Sequence, residues 1–521
     1  MEGITKFLKK LESQSLKNTF LIIFAWIFVR VFFEGIFEAA HTIGYLPFSY
    51  KAIVLYFIHY PSFYLSLFLL LVIITSLVNG LKIDDVTKTF SFGFGIIILV
   101  PLIDWIIGGG YAITYPLRIG PYLINSLNPF VSITEYGGSP GQRIIFFLIC
   151  LMISLYLFFK KRRILLSILT FFITYFTIII FGGLPTIIAA DRPEDVYITG
   201  GILYSDTQKF AAIFLLLLVI TSMLYYYLID KKKFKLILSS LRPERALFYG
   251  GLGLFGLLLS LHQAGVTVKG QFPFLFDKLG IVIIWLSLAF GFQGAASIND
   301  FFDRDGDELT RHHNPLIKGL APDYYLLWTI VITCLSFILA LTISFVSFLI
   351  MFTLIAISIL YSVPPVRLKR IPIISSFVLA VAAVLAMGIG YSIITGTKAL
   401  NKIPHSILVP TIIGITLGFI AKDIQDIPGD KKAGVITIPA LLTRQNGGEL
   451  IRLPIGLIIG SSYLVYALFI PRLFVGAIIF STTTLLYTVF AKELKEWFYF
   501  LMLYLFGAYL IFMLSYLPVL K

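Results

Sequence analysis

The sequence predicts an all-α fold, a polytopic bundle of transmembrane helices with about six spans in its N-terminal part and about nine after it. Three observations carry this. First, 58% of the 521 residues are hydrophobic and only 13% are charged, against about 45–50% and about 25% in soluble globular chains. Second, apolar runs near 20 residues recur along the whole chain, the length that crosses about 30 Å of hydrocarbon. Third, Lys and Arg gather in short clusters between those runs, as cytoplasmic loops require.

The first six spans are predicted near Phe20–Phe37, Ile53–Val78, Phe92–Ile107, Ile144–Phe159, Leu165–Gly182 and Phe210–Ile229. Nine more follow near Ala246–Leu261, Ile281–Ile298, Tyr325–Ile343, Phe348–Leu360, Ile373–Ile393, Ile407–Ala421, Leu453–Leu468, Val475–Phe490 and Phe498–Leu514. The first apolar stretch runs on into Arg30 and Glu34 without a small-residue cleavage site, so it reads as a span and not as a cleaved signal. The stretch Lys231–Arg245 is the longest charged interval between spans and contains Pro243. It divides the chain into an N-terminal membrane domain, 1–235, and a second domain, 236–521, which is expected to insert and act without the first.

The net charge of +14 would suggest nucleic acid in a soluble protein. Its clustering between spans points instead to topology, with attraction to anionic membrane lipids as a compatible role, and no nucleic-acid partner is expected. With the N-terminus inside, the loops holding Lys160–Arg163, Lys231–Lys233 and Arg367–Arg370 all fall inside. The same parity puts two Asp-rich loops, Asn299–Asp307 and Asp423–Asp430, inside together. A multi-pass protein of the cytoplasmic membrane with its active site at the cytoplasmic face is therefore expected. Cys150 and Cys334 lie in apolar runs and make neither a disulfide framework nor a metal site.

The acidic motifs carry the chemistry. In Asn299-Asp300-Phe301-Phe302-Asp303-Arg304-Asp305-Gly306-Asp307, helical spacing allows Asp300, Asp303 and Asp307 to share a face. In Lys422-Asp423-Ile424-Gln425-Asp426-Ile427-Pro428-Gly429-Asp430, Asp426 and Asp430 are again four apart, and Lys422 is four before Asp426. Carboxylates on one face repel unless a cation sits among them, and hard oxygen ligands suit Mg2+. Two such clusters can hold two ions that clamp a diphosphate as a leaving group. Arg311, Arg367, Lys369 and Lys422 lie in the right loops to share its charge. The plainer reading of each acidic cluster alone is a solvated loop beside the membrane; it is the pairing of two that favours the metal.

These residues resemble the UbiA superfamily of intramembrane prenyltransferases. Asn299, Asp300, Asp303 and Asp307 match its NDxxDxxxD signature, followed by Arg311, Pro315 and Gly319. Tyr361-Ser362-Val363-Pro364-Pro365-Val366-Arg367-Leu368-Lys369-Arg370 matches YSxPPxRxKR, and Lys422, Asp426 and Asp430 match KxxxDxxxD. Leu241-Arg242-Pro243 and Ala433–Pro439 are similar to the family too, so the resemblance covers roughly 238–521. It implies a nine-helix bundle around a central cavity and Mg2+-dependent ionisation of a prenyl diphosphate. A lipid or aromatic acceptor then attacks the allylic cation, inside an apolar bundle that excludes water. Asp300, Asp303, Asp426 and Asp430 are then the leading catalytic and metal-binding residues, with Asp307 and Asp423 supporting. Asn299 orients the first cluster; Arg311, Arg367, Lys369 and Lys422 bind diphosphate; Tyr361 lines the site or steadies the cation through its ring.

The sequence departs from the family at Gly418, where Tyr is common, at Asn314, in place of a second Arg, and at His312 and His313. These departures bear on the acceptor more than on ionisation. No family resemblance covers residues 1–230. There Arg30, Glu34, Glu38 and His41 fall near one helical face, and His59 and Asp104 sit in or near apolar runs. Ionisable groups at membrane depth point to function, but pairing that fixes helix packing is the preferred reading. Two rival functions are a CDP-alcohol phospholipid synthase, whose acidic signature the residues after Gly306 do not supply, and a transporter, for which paired repeats are missing.

Overall fold

The structure is a computed structural model that describes residues 2–37, 49–108, 115–116, 118–126, 138–189, 193–272, 274–304, 314–396, 399–425, 427–428, 435–445 and 450–516. Among them are fifteen helices long and apolar enough to cross a membrane. Six precede residue 230: α1 (Leu16–Phe37), α2 (Tyr50–Asn79), α3 (Ile83–Gly108), α4 (Pro140–Lys161), α5 (Ile164–Gly182) and α6 (Asp206–Ile229). Nine follow: α7 (Pro243–Ala264), α8 (Leu275–Phe302), α9 (Pro322–Ile343), α10 (Phe345–Ser362), α11 (Ile374–Thr395), α12 (His405–Ile424), α13 (Arg452–Phe469), α14 (Pro471–Phe490) and α15 (Glu496–Tyr516). The chain is an all-α multi-pass membrane protein, since unbroken helices satisfy backbone hydrogen bonding in hydrocarbon.

Two of the expected spans nearly merge in the sequence, and one residue separates them. Ser344 is extended (φ −165°, ψ 160°) and its hydroxyl accepts the Ser347 amide at 3.0 Å, capping α10 where α9 ends.

The chain divides into two compact units. The first is Met1–Lys231 together with Phe274–Leu279; the second is Lys232–Pro273 with Gly280–Lys521. The first turn of α8 thus belongs to the first unit. There Asp277 accepts the Ile202 and Phe274 amides at 2.8 and 3.1 Å, and Phe276 is buried among Ala189, Val196, Phe210 and Ile213. Lys209, buried in α6, donates to the Asp195 and Ile198 carbonyls at 2.5 and 2.7 Å.

Arg30, Glu34, His59 and Asp104 of this unit each make packing contacts with neighbouring side chains or backbone. Arg30 is ion-paired with Glu34, to which Tyr60 also donates at 3.1 Å, and the guanidinium lies 5.5 Å from the Tyr64 ring. Asp104 accepts the Gly141 amide at 2.7 Å and the Ser139 hydroxyl. His59 ends a π-helical turn, Val54–His59, and faces the Tyr115 hydroxyl at 3.1 Å. Glu38 and His41 lie outside the described residues.

In the second unit α7 packs closely on α11. The approach depends on glycine: a Cβ on Gly256 would overlap the Met387 carbonyl, and one on Gly390 would overlap the Gly253 carbonyl. Small residues at such contacts allow helix backbones to approach within lipid. A core of Tyr391, Ile407, Tyr463, Tyr466 and Phe506 joins α11, α12, α13 and α15.

Candidate active site

The site is built at one end of the second unit, where helices stop. Asn299 and Asp300 lie in the last turn of α8, and Asp303 follows it, its amide still bonded to the Asn299 carbonyl at 3.0 Å. An i,i+4 offset puts Asn299 and Asp303 on one face, and the Asn299 amide donates to Asp303 Oδ2 at 2.6 Å.

The segment after α10 supplies the cations. Arg367 takes a left-handed backbone conformation (φ 39°, ψ 60°), and a 3-10 turn over Leu368–Arg370 follows. This aims two side chains back at α8. Arg367 Nη2 donates to Asp303 Oδ1 at 2.8 Å and to the Phe302 carbonyl at 3.1 Å. Lys369 Nζ donates to Asn299 Oδ1 at 2.9 Å and is ion-paired with Asp303. Both cations are buried. Burial pushes the Asp303 carboxyl up, but Lys369 and Arg367 outweigh it and hold the group below the usual carboxylate range.

The last turn of α10 ties this cluster to the second motif. Ser362 Oγ donates to Asn299 Oδ1 at 3.1 Å. Its neighbour Tyr361 accepts Lys422 Nζ at 3.3 Å, and Lys422 donates to Asp423 Oδ1 at 2.5 Å. The Lys422 ammonium also lies 6.0 Å from the Tyr361 ring centre. The end of α12 is wound as a 3-10 helix over Phe419–Ile424, which carries Lys422 and Asp423 on successive residues.

Asp300 is placed differently from Asp303. It is 0% exposed; its Oδ1 is ion-paired with Arg242 and its Oδ2 accepts the Tyr325 hydroxyl at 2.7 Å. Its carbonyl accepts the Asn314 amide at 2.9 Å. Arg242 and Ser362 are prefigured by the Leu241-Arg242-Pro243 and YSxPPxRxKR motifs, but nothing in the sequence marks Tyr325 or this use of Asn314. Asp307, Arg311, His312, His313, Asp426 and Asp430 lie outside the described residues. Among the described residues no three His, Cys, Asp or Glu side chains gather.

The donors present nevertheless fit Mg2+. Asp303 and Asn299 offer hard oxygens, the Asp303 side chain is 20% exposed, and the cations around it suit phosphate oxygens. Beside Lys422 a small cleft opens between α12, α13 and α15. Gly414, Gly418 and Ser462 line it with Ile415, Tyr463 and Phe500. A Cβ on Gly418 would meet Ser462 Oγ at 3.5 Å, an ordinary van der Waals contact, so the position would accept a small side chain against Ser462.

The family model of the UbiA prenyltransferase family matches residues 254–518. Digeranylgeranylglyceryl phosphate synthase of Thermococcus gammatolerans is 29% identical over 196 residues, which are 37% of this chain and 65% of that one. The match thus spans just under two thirds of that relative's length. The synthase of the same name from Thermococcus kodakarensis is 26% identical over 219 residues, 41% of this chain and 71% of that one. Among solved structures, a UbiA homolog from Archaeoglobus fulgidus bound to GPP and Mg2+ is 23% identical, with a TM-score of 0.40 over 55% of this chain and 99% of that one. The matched segment begins in α7 and ends past α15, holding the whole constellation of Asn299, Asp303, Lys369 and Lys422, and the chain belongs to the UbiA prenyltransferase family.

Proposed function

We propose that the second unit transfers a prenyl chain from a prenyl diphosphate to a lipid acceptor, in the presence of Mg2+, at the cytoplasmic face of the membrane. The observation that carries the reading is the last turn of α10, where Ser362 meets the Asn299–Asp303 cluster and Tyr361 meets Lys422. One helix end thus holds the neighbourhoods of both acidic motifs together. The proposed ion-binding carboxylates are Asp303, Asp307, Asp423, Asp426 and Asp430. Bound Mg2+ would supply charge neutralisation on the diphosphate leaving group.

The chain's own groups do the rest. Asn299 holds Asp303 in register. Arg367, Lys369 and Lys422, with Arg311, take phosphate oxygens as charge grows on the leaving group. Tyr361 presents its ring near the developing allylic cation. The apolar helices keep water from that cation. The names of the curated relatives favour a glyceryl phosphate lipid as acceptor over an aromatic one.

The test is purified full-length protein in liposomes with radiolabelled prenyl diphosphate and a prenylglyceryl phosphate acceptor. Labelled ether lipid that forms with Mg2+ and disappears with EDTA is expected. Label accumulating unreacted inside vesicles would favour a transporter, and transfer from a CDP-alcohol would favour the phospholipid synthase; either result defeats the proposal.

A further inference from the structure

Asp300 lies in the acidic motif beside Asp303, yet its surroundings are of another kind. Three residues of helix turn through about 300°, so the two side chains leave the axis about 60° apart. That offset suffices to send them to different neighbours. Asp303 meets Lys369 and Arg367, with a fifth of its side chain exposed. Asp300 is enclosed: Arg242 holds one oxygen, Tyr325 the other, and Asn314 its carbonyl. These partners come from the start of α7, from α9 and from the segment between α8 and α9. Tyr325 is itself fully buried, with its ring 5.2 Å from Phe301.

A magnesium ion dehydrates reluctantly and usually keeps several waters. A carboxylate with 0% exposure leaves no room for such an ion. Drawing Asp300 out to meet one would strand the Arg242 guanidinium, and breaking a buried pair is costly. We propose that Asp300 is a positioning residue and not a metal ligand. With Arg242 and Tyr325 it pins the last turn of α8, so that Asn299 and Asp303 keep the azimuth and height at which they face the substrate. Arg242 is thereby assigned to the clamp and not to the diphosphate. The assignment rests on the prenyl-transfer reading, because it concerns the frame of that site.

The test is a double-mutant cycle in the full-length protein, with two readouts. The first is the rise in unfolding temperature produced by Mg2+ with inorganic pyrophosphate, which reports binding without turnover. The second is prenyl transfer. Arg242→Gln leaves Asp300 as a buried, poorly compensated charge, so it lowers both readouts. Adding Asp300→Asn removes that charge, and the double variant should recover about tenfold in half-saturating Mg2+ and in transfer relative to Arg242→Gln, the low end of what losing an outer-shell partner costs. If Asp300 ligates the ion, the double variant binds Mg2+ worse than Arg242→Gln does, which overturns the assignment. Where Arg242→Gln does not fold, Tyr325→Phe serves, since it keeps the ring on Phe301 and loses one hydroxyl. It should lower kcat several-fold and shift half-saturating Mg2+ in the same direction as Arg242→Gln but by less, since Arg242 still holds Asp300; unchanged kcat, or a Mg2+ shift as large as that of Asp303→Asn, rejects the clamp. A parent protein that binds Mg2+ and pyrophosphate but transfers nothing would instead defeat the functional reading, and the binding cycle would still decide the role of Asp300.

Discussion

Replacing Lys369 by Met tests the electrostatic frame of the site most directly. The Lys369 ammonium is ion-paired with Asp303 and bonded to Asn299 Oδ1 at 2.9 Å, with only 9% of its side chain exposed. Methionine keeps the length and removes the charge. Breaking a buried pair by deleting one partner costs about 3 kcal/mol, the low end because Arg367 still reaches Asp303. For a unit of this size about 2 °C of melting temperature follows each kcal/mol, so a fall of about 6 °C is expected at pH 7. The pH dependence has a definite sign. In the parent the Asp303 carboxyl is held below its usual value, so its contribution is present above the unfolded value of about 3.9 and is lost as pH falls through the folded one. In the variant burial weighs more and the carboxyl rises, so the penalty at pH 7 eases as the group protonates. The gap between parent and variant should therefore narrow as pH falls from 7 toward 4. Prenyl transfer at pH 7 should drop about 100-fold, as when a preorganised donor to a charged transition state is lost. The assays are thermal unfolding in detergent across pH and radiolabelled transfer in liposomes. A variant that melts with the parent at every pH and transfers within twofold of it would refute the frame.

Three further predictions follow from other parts of the chain. Gly418→Leu should fill the cleft beside Lys422, sparing diphosphate release from a short prenyl donor while raising KM for a long-chain acceptor, and equal KM values across acceptor lengths would count against the cleft as a chain site. Single cysteines at Lys318 and Gln425, both exposed, should resist an impermeant thiol reagent outside intact cells once Cys150 and Cys334 are replaced by Ala; labelling at one position alone would break the shared face. A chain starting at Lys235 should keep measurable transfer but melt lower, because Asp277 loses the Ile202 amide and Phe276 its buried cluster, a contact worth about 3–5 kcal/mol by truncation; Phe276→Ala in the full chain should show the same stability loss, and neither change lowering the melting point would remove Phe274–Leu279 from the frame.

The membrane spans were legible in the sequence because hydrocarbon thickness sets helix length and leaves few alternatives for a 20-residue apolar run. The gathering of Asn299, Asp303 and Lys369 was legible because carboxylates and cations beside a membrane call for compensating partners. Orientation was not. Whether Asp300 or Asp303 faces Lys369 turns on about 60° of helix rotation, and that is decided by Arg242 and Tyr325, which lie 58 and 25 residues away along the chain. The left-handed turn at Arg367 likewise depends on packing, as does the pairing of Glu34 with Tyr60 in the first unit. The charged seam Lys231–Arg245 marks one edge of a unit by composition, but the return of Phe274–Leu279 to the first unit leaves no such trace. An apolar helix start looks the same whichever partner buries it, and only the tertiary structure assigns Phe276 to the first unit's core.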